Sequence, residues 1–389
     1  MRVCVVSFKE CWQDATGCWF SYGGFPLQMA ALASLFDAIS LVVVRGRPRP
    51  GGMPLPVGTV VALRSPVGVD GRRKLSVLAR LPYYLGAIGW HIRHADVVHV
   101  PLPGDLPFLG MLAAVTLRKR LLARYGGSWL PTSETTFMNR VTRECMRRWA
   151  SERNLMLATG TGSEPPGPGI EWLFATAISE RELDVVRPDL SRPPGRPLRL
   201  AYVGRLSPEK GVAHLLGAVN LLRSDTPPEE MPQLTVIGGG PEEDRLRHLV
   251  TRSGCAPYVR FVGQLTRGDV VRELLRTDVC VLPSLSESFC KARLDAMVCG
   301  VPVITTGVGF GREIVGVDGE RGWVVPVGDA AVLAAAVRRV QTGSVDWAAL
   351  RARCRTYAER HTLELWAQEI GERCARRWRW RLVDGRLVA

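Results

Sequence analysis

Short runs of apolar, β-branched residues alternate with helix-like patterns along the whole chain, and this alternation limits its fold more than any other feature. Val3-Cys4-Val5-Val6-Ser7 shows no polar face, as expected of a strand covered on both sides. The signal recurs at Leu41–Val44, Val97–Val100, Leu121–Tyr125, Leu155–Thr159 and Trp172–Ile178, with helices expected over Pro26–Phe36 and Leu75–His94. Strands separated by helical segments form βαβ units, and βαβ units build parallel sheets.

The pattern breaks once, at the proline-rich, aperiodic Arg187-Pro-Asp-Leu-Ser-Arg-Pro-Pro-Gly-Arg-Pro197, which reads as a linker. It then restarts, with strands expected at Leu198–Val203, Leu234–Ile237, Val259–Val262, Val279–Leu282, Val301–Thr305 and Gly322–Val325. The helix after the first of these puts Val212, Leu215, Leu216, Val219 and Leu222 on one face, a buried stripe at helical spacing. A chain of 389 residues also exceeds what one core usually holds. The expected fold class is therefore α/β, with two doubly wound Rossmann-like domains facing a central cleft. Residues 1–190 form the first and 191–365 the second, and 366–389 form a helix crossing back to the first. Ligands of such sheets bind beyond the carboxyl ends of the strands.

Hydrophobic residues make up 46% and charged residues 23%, which excludes a disordered or collagen-like chain. Lys and Arg number 51 against 37 Asp and Glu, a formal charge of +14 that favours anionic partners. No nucleic-acid module is recognisable, so nucleic acid is not an expected partner. None of the ten cysteines forms a Cys-x-x-Cys pair, which points to a reducing cytoplasm and away from structural zinc. Met1-Arg2 leads straight into a strand, and the longest apolar stretch, Leu106–Leu117, falls short of the ~18 residues that span a bilayer. A cytoplasmic protein is expected, with any membrane contact peripheral, at the inner face. The tail Leu363–Arg381 mixes aromatic and basic residues: a helix with Trp366 and Ile370 buried, and a tip, Trp378 and Trp380, placed at an interface.

Two segments carry chemistry. In Tyr202-Val-Gly-Arg-Leu-Ser-Pro-Glu-Lys-Gly211, a strand ends at Gly204, and Arg205 and Lys210 follow just before a helix. Two cations there make an anion site, Arg gripping phosphate with two parallel bonds, although two solvated loop cations would look the same. In Pro283-Ser-Leu-Ser-Glu-Ser-Phe-Cys-Lys-Ala-Arg-Leu-Asp-Ala-Met-Val-Cys-Gly-Val-Pro302, Glu287 lies in a loop and Asp295 inside the next helix. The amides of Phe289, Cys290 and Lys291 open that helix and can meet an anion. Either carboxylate alone is more often a cap or a solvated charge.

Together, Arg205, Lys210, Ile237-Gly-Gly-Gly-Pro241 and Glu287-x7-Asp295 resemble the family 4 retaining glycosyltransferases of the GT-B fold, densely over residues ~198–340 and only in outline before that. The resemblance implies transfer of a hexosyl group from a nucleotide-diphosphate sugar to an acceptor hydroxyl (of a glycan, a glycolipid or a small-molecule glycoside). The anomeric configuration would be retained by a metal-independent front-face displacement with no cofactor. Arg205 and Lys210 would hold the diphosphate, Glu287 the sugar hydroxyls, and Phe289, Cys290 and Lys291 would meet sugar or phosphate. Asp295 would hold the ribose, Gln264 and Leu265 would lie along the base, and Gly204 would lie at the nucleotide. Gly23 and Gly24 would let backbone approach the donor or acceptor.

Two departures stand out: Asp295 is one methylene shorter than the usual Glu, and Gly126 of Tyr125-Gly126-Gly127 stands where the family often carries a histidine. His99 is more often structural in such a setting, and Glu313 reads first as a helix-start acid. A GT-B nucleotide-sugar epimerase, or a non-catalytic basic protein binding membrane or polyanion, is the alternative. Charge alone makes a lipid-linked acceptor one option, and the acceptor leaves no motif in its expected loops at 65–75 and 131–139.

Overall fold

The computed structural model describes residues 1–49, 51–55, 58–68, 70–129, 135–162 and 164–389. Positions 69 and 130–134, within the two expected acceptor loops or at their edge, lie outside the described residues. The chain divides into two compact units, Met1–Ala177 with Leu363–Ala389, and Ile178–Thr362. The junctions thus fall at 177/178 and 362/363 rather than at 190/191 and 365/366. The buried Arg355 guanidinium explains the first: it donates to the carbonyls of Leu183 (2.6 Å) and Val186 (3.1 Å), holding that segment to the second unit.

The core of the first unit is a parallel sheet built on Arg2–Gln13. That strand pairs with Ala38–Arg45 on one side and Val97–Leu102 on the other, and Thr59–Leu63, Arg120–Tyr125, Asn154–Thr159 and Ile170–Leu173 extend the two edges. Short antiparallel pieces, Trp19–Ser21 and Met53–Pro54, extend the first strand beyond the sheet. The first strand does not alternate between buried and exposed positions at its start: Cys4, Val5 and Val6 are all fully buried, as a strand between two helical layers must be. The expected single helix over 75–94 is two, Asp70–Ala79 and Leu81–Arg93. Pro82, at the start of the second, lacks the N–H that would continue the first. The apolar stretch at 106–117 forms the helix Asp105–Thr116, and among the described residues no helix is long and apolar enough to cross a membrane.

The helix Leu363–Trp378 packs on this unit with Trp366 and Ile370 fully buried. Its tip corrects the interfacial reading: Trp378 donates to the Arg153 carbonyl (3.0 Å), meets Trp380 edge-on at 5.0 Å, and both rings are buried. Arg120 lies 4.5 Å over the Trp380 ring, so the aromatic tip packs as core rather than facing solvent.

The second unit is a six-stranded parallel sheet in the order Val259–Gly263, Gln233–Ile237, Arg199–Val203, Val279–Leu282, Val303–Thr306, Gly322–Val325. The first strand in sequence, Arg199–Val203, sits in the middle, and the order reverses between it and Val279–Leu282. That reversal is the topological switch point, where doubly wound sheets take their ligands. At the opposite, amino end, the fully buried Asp278 carboxylate accepts from Arg199 through two bonds of 3.0 Å and from the amides of Gly195 and Arg199, with Arg192 at 3.1 Å and Arg351 at 3.4 Å. This network ties the proline-rich stretch to the sheet.

Candidate functional site

The two chemically marked segments leave the sheet on either side of the switch point. After Arg199–Val203 the chain runs through Gly204 and Arg205 into a single 3-10 turn, Pro208–Lys210, and then the helix Val212–Asp225. After Val279–Leu282 it runs through Pro283–Cys290 into the helix Lys291–Val298. The two loops are stitched together: the amides of Leu285 and Ser286 donate to the Glu209 carbonyl at 2.8 and 3.3 Å. Gly211 makes the approach possible. It adopts φ +67, and a Cβ there would lie 2.1 Å from the Pro283 carbonyl oxygen, so any side chain would push the loops apart. Gly238 plays the same part beside Gly204, where a Cβ would fall 1.9 Å from the Gly204 carbonyl oxygen.

The result is a pair of opposite charges across the two loops. Lys210 Nζ donates to Glu287 Oε1, and Ser284 Oγ lies 3.4 Å from the same oxygen. Glu287 Oε2 has no partner among the described residues. Arg205 is exposed, and among the described residues its guanidinium forms no ion pair within 4 Å. Its carbonyl accepts from the buried Tyr202 hydroxyl at 2.8 Å, which holds the backbone while the side chain stays available. Phe289 and Cys290 are buried, and Cys290 caps Lys291–Val298 without a side-chain bond. The amides at this helix start thus carry the partial positive charge of the helix end. Gln264 is exposed and Leu265 half-buried in the loop that leaves Val259–Gly263.

Asp295 does not stand alone. Its Oδ1 accepts from Arg267 Nη2 at 3.2 Å, and Arg267 is held from behind by Glu182, through Nε at 3.0 Å and Nη2 at 2.9 Å. Burial holds the Glu182 carboxyl above its usual range, Arg267 offsetting part of the effect and Asp295 adding to it. The sequence reading missed Arg267 because its partners lie 85 and 28 residues away. Arg267→Ala is expected to cost about 1–2 kcal/mol, less than a fully buried pair because a third of the Arg267 side chain is exposed. A protonated Glu182 no longer repels Asp295, and a carboxyl with a raised pKa binds its proton more tightly folded than unfolded, so falling pH favours the fold. Urea melts should therefore show a wider gap between variant and wild type at pH 8 than at pH 5; an equal gap would break this account.

Arg293 was also missed. It is fully buried, with Nη1 donating to the Gly309 carbonyl (2.7 Å), Nη2 to that of Val308 (2.8 Å), and Nε to Thr305 Oγ1 (3.1 Å). It shapes the turn 307–311, and that turn backs Glu287: a Cβ on Gly309 would lie 2.6 Å from Glu287 Cβ. Glu313 falls in the first turn of the short helix Gly311–Val315, as a helix-start acid.

Gly23 and Gly24 belong to the first unit, where they open the helix Phe25–Ala33. Lys9 stands beside them, its ammonium 3.6 Å above the Tyr22 ring. Gly126 is exposed, its amide bonded to the Leu102 carbonyl at 2.6 Å. His99 is structural: it is fully buried, Nδ1 meets the Leu122 carbonyl at 2.9 Å, and burial pulls its pKa down to about 3. Eight of the ten cysteines are buried and all are free thiols, packed as small apolar side chains.

Residues 188–361 match the sequence profile of the family described as glycosyl transferases group 1. A glycogen synthase of Mycobacterium tuberculosis is 35% identical over 198 residues, 50% of this chain and 45% of that protein. A GDP-mannose-dependent alpha-mannosyltransferase of Mycolicibacterium smegmatis is 30% identical over 235 residues, 57% of this chain and 58% of that one. The chain thus spans about half the length of the curated relatives it matches. Among solved structures, HepE of Anabaena in complex with UDP aligns over 97% of this chain and 100% of its own, at a TM-score of 0.69 and 18% identity. A sucrose-phosphate synthase of Thermosynechococcus elongatus aligns over 97% and 98%, at 0.71 and 19%. These likenesses show the GT-B fold expected from the sequence.

Proposed function

We propose that this chain, whose residues 188–361 match the profile of the group 1 glycosyl transferases, is a retaining hexosyltransferase that uses a nucleotide-diphosphate sugar and an acceptor hydroxyl. One observation carries the reading. At the switch point of the second unit, an arginine with no ion pair among the described residues, a lysine–glutamate pair and the start of the helix Lys291–Val298, whose cap residue Cys290 makes no side-chain bond, lie on two adjoining loops.

A diphosphate develops negative charge as the glycosidic bond breaks. Arg205 is placed to meet it by charge-assisted bonds, Lys210 adds a second cation, and the helix start adds amide donors. Glu287, with one oxygen engaged by Lys210 and the other free, accepts from hydroxyls of the sugar. Asp295 keeps Oδ2 for a ribose hydroxyl while Arg267 holds Oδ1. In the front-face step the acceptor oxygen bonds to the anomeric carbon on the face from which the diphosphate departs, and the hydroxyl proton leaves with the diphosphate. These cations carry the charge that a metal would otherwise neutralise, so the reading needs no metal and no cofactor.

HepE was solved with UDP and with UDP-glucose, and one relative is named for GDP-mannose. UDP and GDP are therefore the first nucleotides to try. Relatives named as D-inositol 3-phosphate glycosyltransferases support a phosphorylated acceptor. The basic balance of the chain agrees with that and with work at the cytoplasmic face of a membrane.

The test is the melting temperature of the purified protein with UDP, GDP, ADP or CDP in EDTA. One nucleotide at 100 times its Kd should add ~2.7 kcal/mol to stability. Arg205→Ala should weaken that nucleotide by about tenfold to a hundredfold, the loss of a charge-assisted contact of ~1.5–3 kcal/mol. No shift with any nucleotide would leave the second reading, a non-catalytic polyanion-binding protein, favoured by the exposed Gly126 where the family often carries a histidine.

A further inference from the structure

We infer that the first unit holds a small monovalent anion of the halide class in its interior, on the guanidinium of Arg124. The site lies apart from the loops proposed for transfer and does not rest on that reading. Arg124 stands on the strand Arg120–Tyr125 and is 8% exposed, and no carboxylate pairs with it among the described residues. Arginines are almost never buried unless paired. Here Nη2 donates to Gln28 Oε1 at 3.0 Å, a neutral acceptor, and the buried Nε has no partner among the described residues.

Three neighbouring side chains are in the same condition. The Trp366 ring centre lies 5.4 Å from the guanidinium carbon, the ring is fully buried, and its Nε1 makes no bond among the described residues. The buried Thr159 hydroxyl makes none either. Arg124 is paired with Leu157 on the next strand, so Thr159, two residues on, rises from the same face of the sheet. On the other side His99 is paired with Leu122 and shares that face, and its Nε2 is also without a partner. His99 Nδ1 donates to the Leu122 carbonyl, which leaves a lone pair on Nε2, and burial keeps the ring neutral. The group thus offers a guanidinium, an indole and a hydroxyl as donors, with no negative charge to balance the cation.

That imbalance names the ligand. Water would complete the hydrogen bonds and leave a buried charge uncompensated, which is the costly case. One guanidinium balances one negative charge, and the cost of taking an ion out of water rises steeply with its charge, which disfavours phosphate and sulfate. A larger carboxylate would need room against Leu122 and Leu157, both fully buried on the same face. A halide is small and accepts hydrogens from any direction, so it suits three donors of different shape.

Charge balance at Arg124 bears on three segments. Gln28 lies in the first turn of the helix Phe25–Ala33, its backbone amide donating to the Gly24 carbonyl at 3.0 Å and its side chain to the Thr176 carbonyl at 2.9 Å. Trp366 anchors the helix Leu363–Trp378. A balanced Arg124 therefore steadies the glycine turn, the chain just before Ala177 and the returning helix on one face of the sheet.

The full chain is compared in sodium chloride and in sodium gluconate at equal ionic strength, and crystals are grown in sodium bromide. The melting temperature should be higher in chloride, and the gain should saturate as chloride replaces gluconate. Amides of residues 25–33 and 363–378 should exchange roughly tenfold more slowly in chloride, the factor expected of an anion at about ten times its Kd. Bromide should give an anomalous-scattering peak within hydrogen-bond reach of Arg124 Nε. Trp366→Phe keeps a ring and removes the N–H, so it should fold and bind chloride roughly tenfold more weakly. Arg124→Gln should melt alike in both salts. Equal melting of the wild type in both salts with no bromide peak would put internal water in place of the anion and overturn the inference. A bromide peak with no effect in solution would be an adventitious ion only, and a chloride effect unchanged in both variants would be a general salt effect; either overturns it as well.

Discussion

Asp278→Ala is expected to destabilise the second unit by about 3–5 kcal/mol, the largest loss foreseen for a single substitution in this chain. The carboxylate is fully buried and is shared by Arg192, Arg199 and Arg351 together with two backbone amides. Arg192 and Arg199 reach solvent and can rehydrate, but Arg351 is 1% exposed. Burial already pulls the Arg351 guanidinium below its ordinary value, with Asp278 pulling the other way, so removing the carboxylate leaves a buried cation with little to offset its desolvation. At about 2–4 °C per kcal/mol for a unit of this size, the melting temperature should fall by roughly 10 °C. Asp278→Asn keeps the shape and one acceptor oxygen, while its NH2 replaces the other acceptor with a donor, so it should lose less than Ala but more than nothing. Wild-type melting of both variants would mean that the arginines find other partners and that the network is not what ties the linker to the sheet.

The second large effect is on transfer. Glu287→Gln should lower turnover by about tenfold to a hundredfold while nucleotide affinity stays nearly constant. A charged acceptor on a sugar hydroxyl contributes ~1.5–3 kcal/mol, and the nucleotide itself does not touch that carboxylate in the proposed reading. The substitution also frees Lys210 from its ion partner, which should if anything help the lysine meet a diphosphate. The decisive comparison is kcat for transfer beside Kd for the nucleotide alone. Equal losses in both would move Glu287 from the sugar to the diphosphate or to the fold.

Much of the fold was readable in advance wherever the signal is local. The central strands of both sheets declared themselves because a strand buried on both faces must be apolar throughout, as Val3–Val6 and Val279–Leu282 are. Errors followed where a second requirement overrode the pattern. Pro82 split one expected helix in two, and Trp378 and Trp380, which in sequence look suited to a membrane surface, found partners in the first unit instead. Local chemistry marked Arg205, Lys210 and Glu287 because each follows a strand end within a few residues. Arg267 and Arg293 carried no such mark, since an arginine in a helix reads as a solvated charge until its partners are known.

By itself the sequence determined the two alternating α/β patterns, the strand-end cations and the Glu287-x7-Asp295 spacing, because periodicity and short-range order survive in one dimension. Only the tertiary structure decided that Lys210 bonds to Glu287 across 77 residues, that Arg267 shares Asp295 with Glu182, and that Arg124 is buried beside Gln28 and Trp366. The physical reason is that ion pairs and cavities are made by groups meeting in space. Their free energy depends on distance and on exclusion of water, and neither is written in the order of residues along the chain.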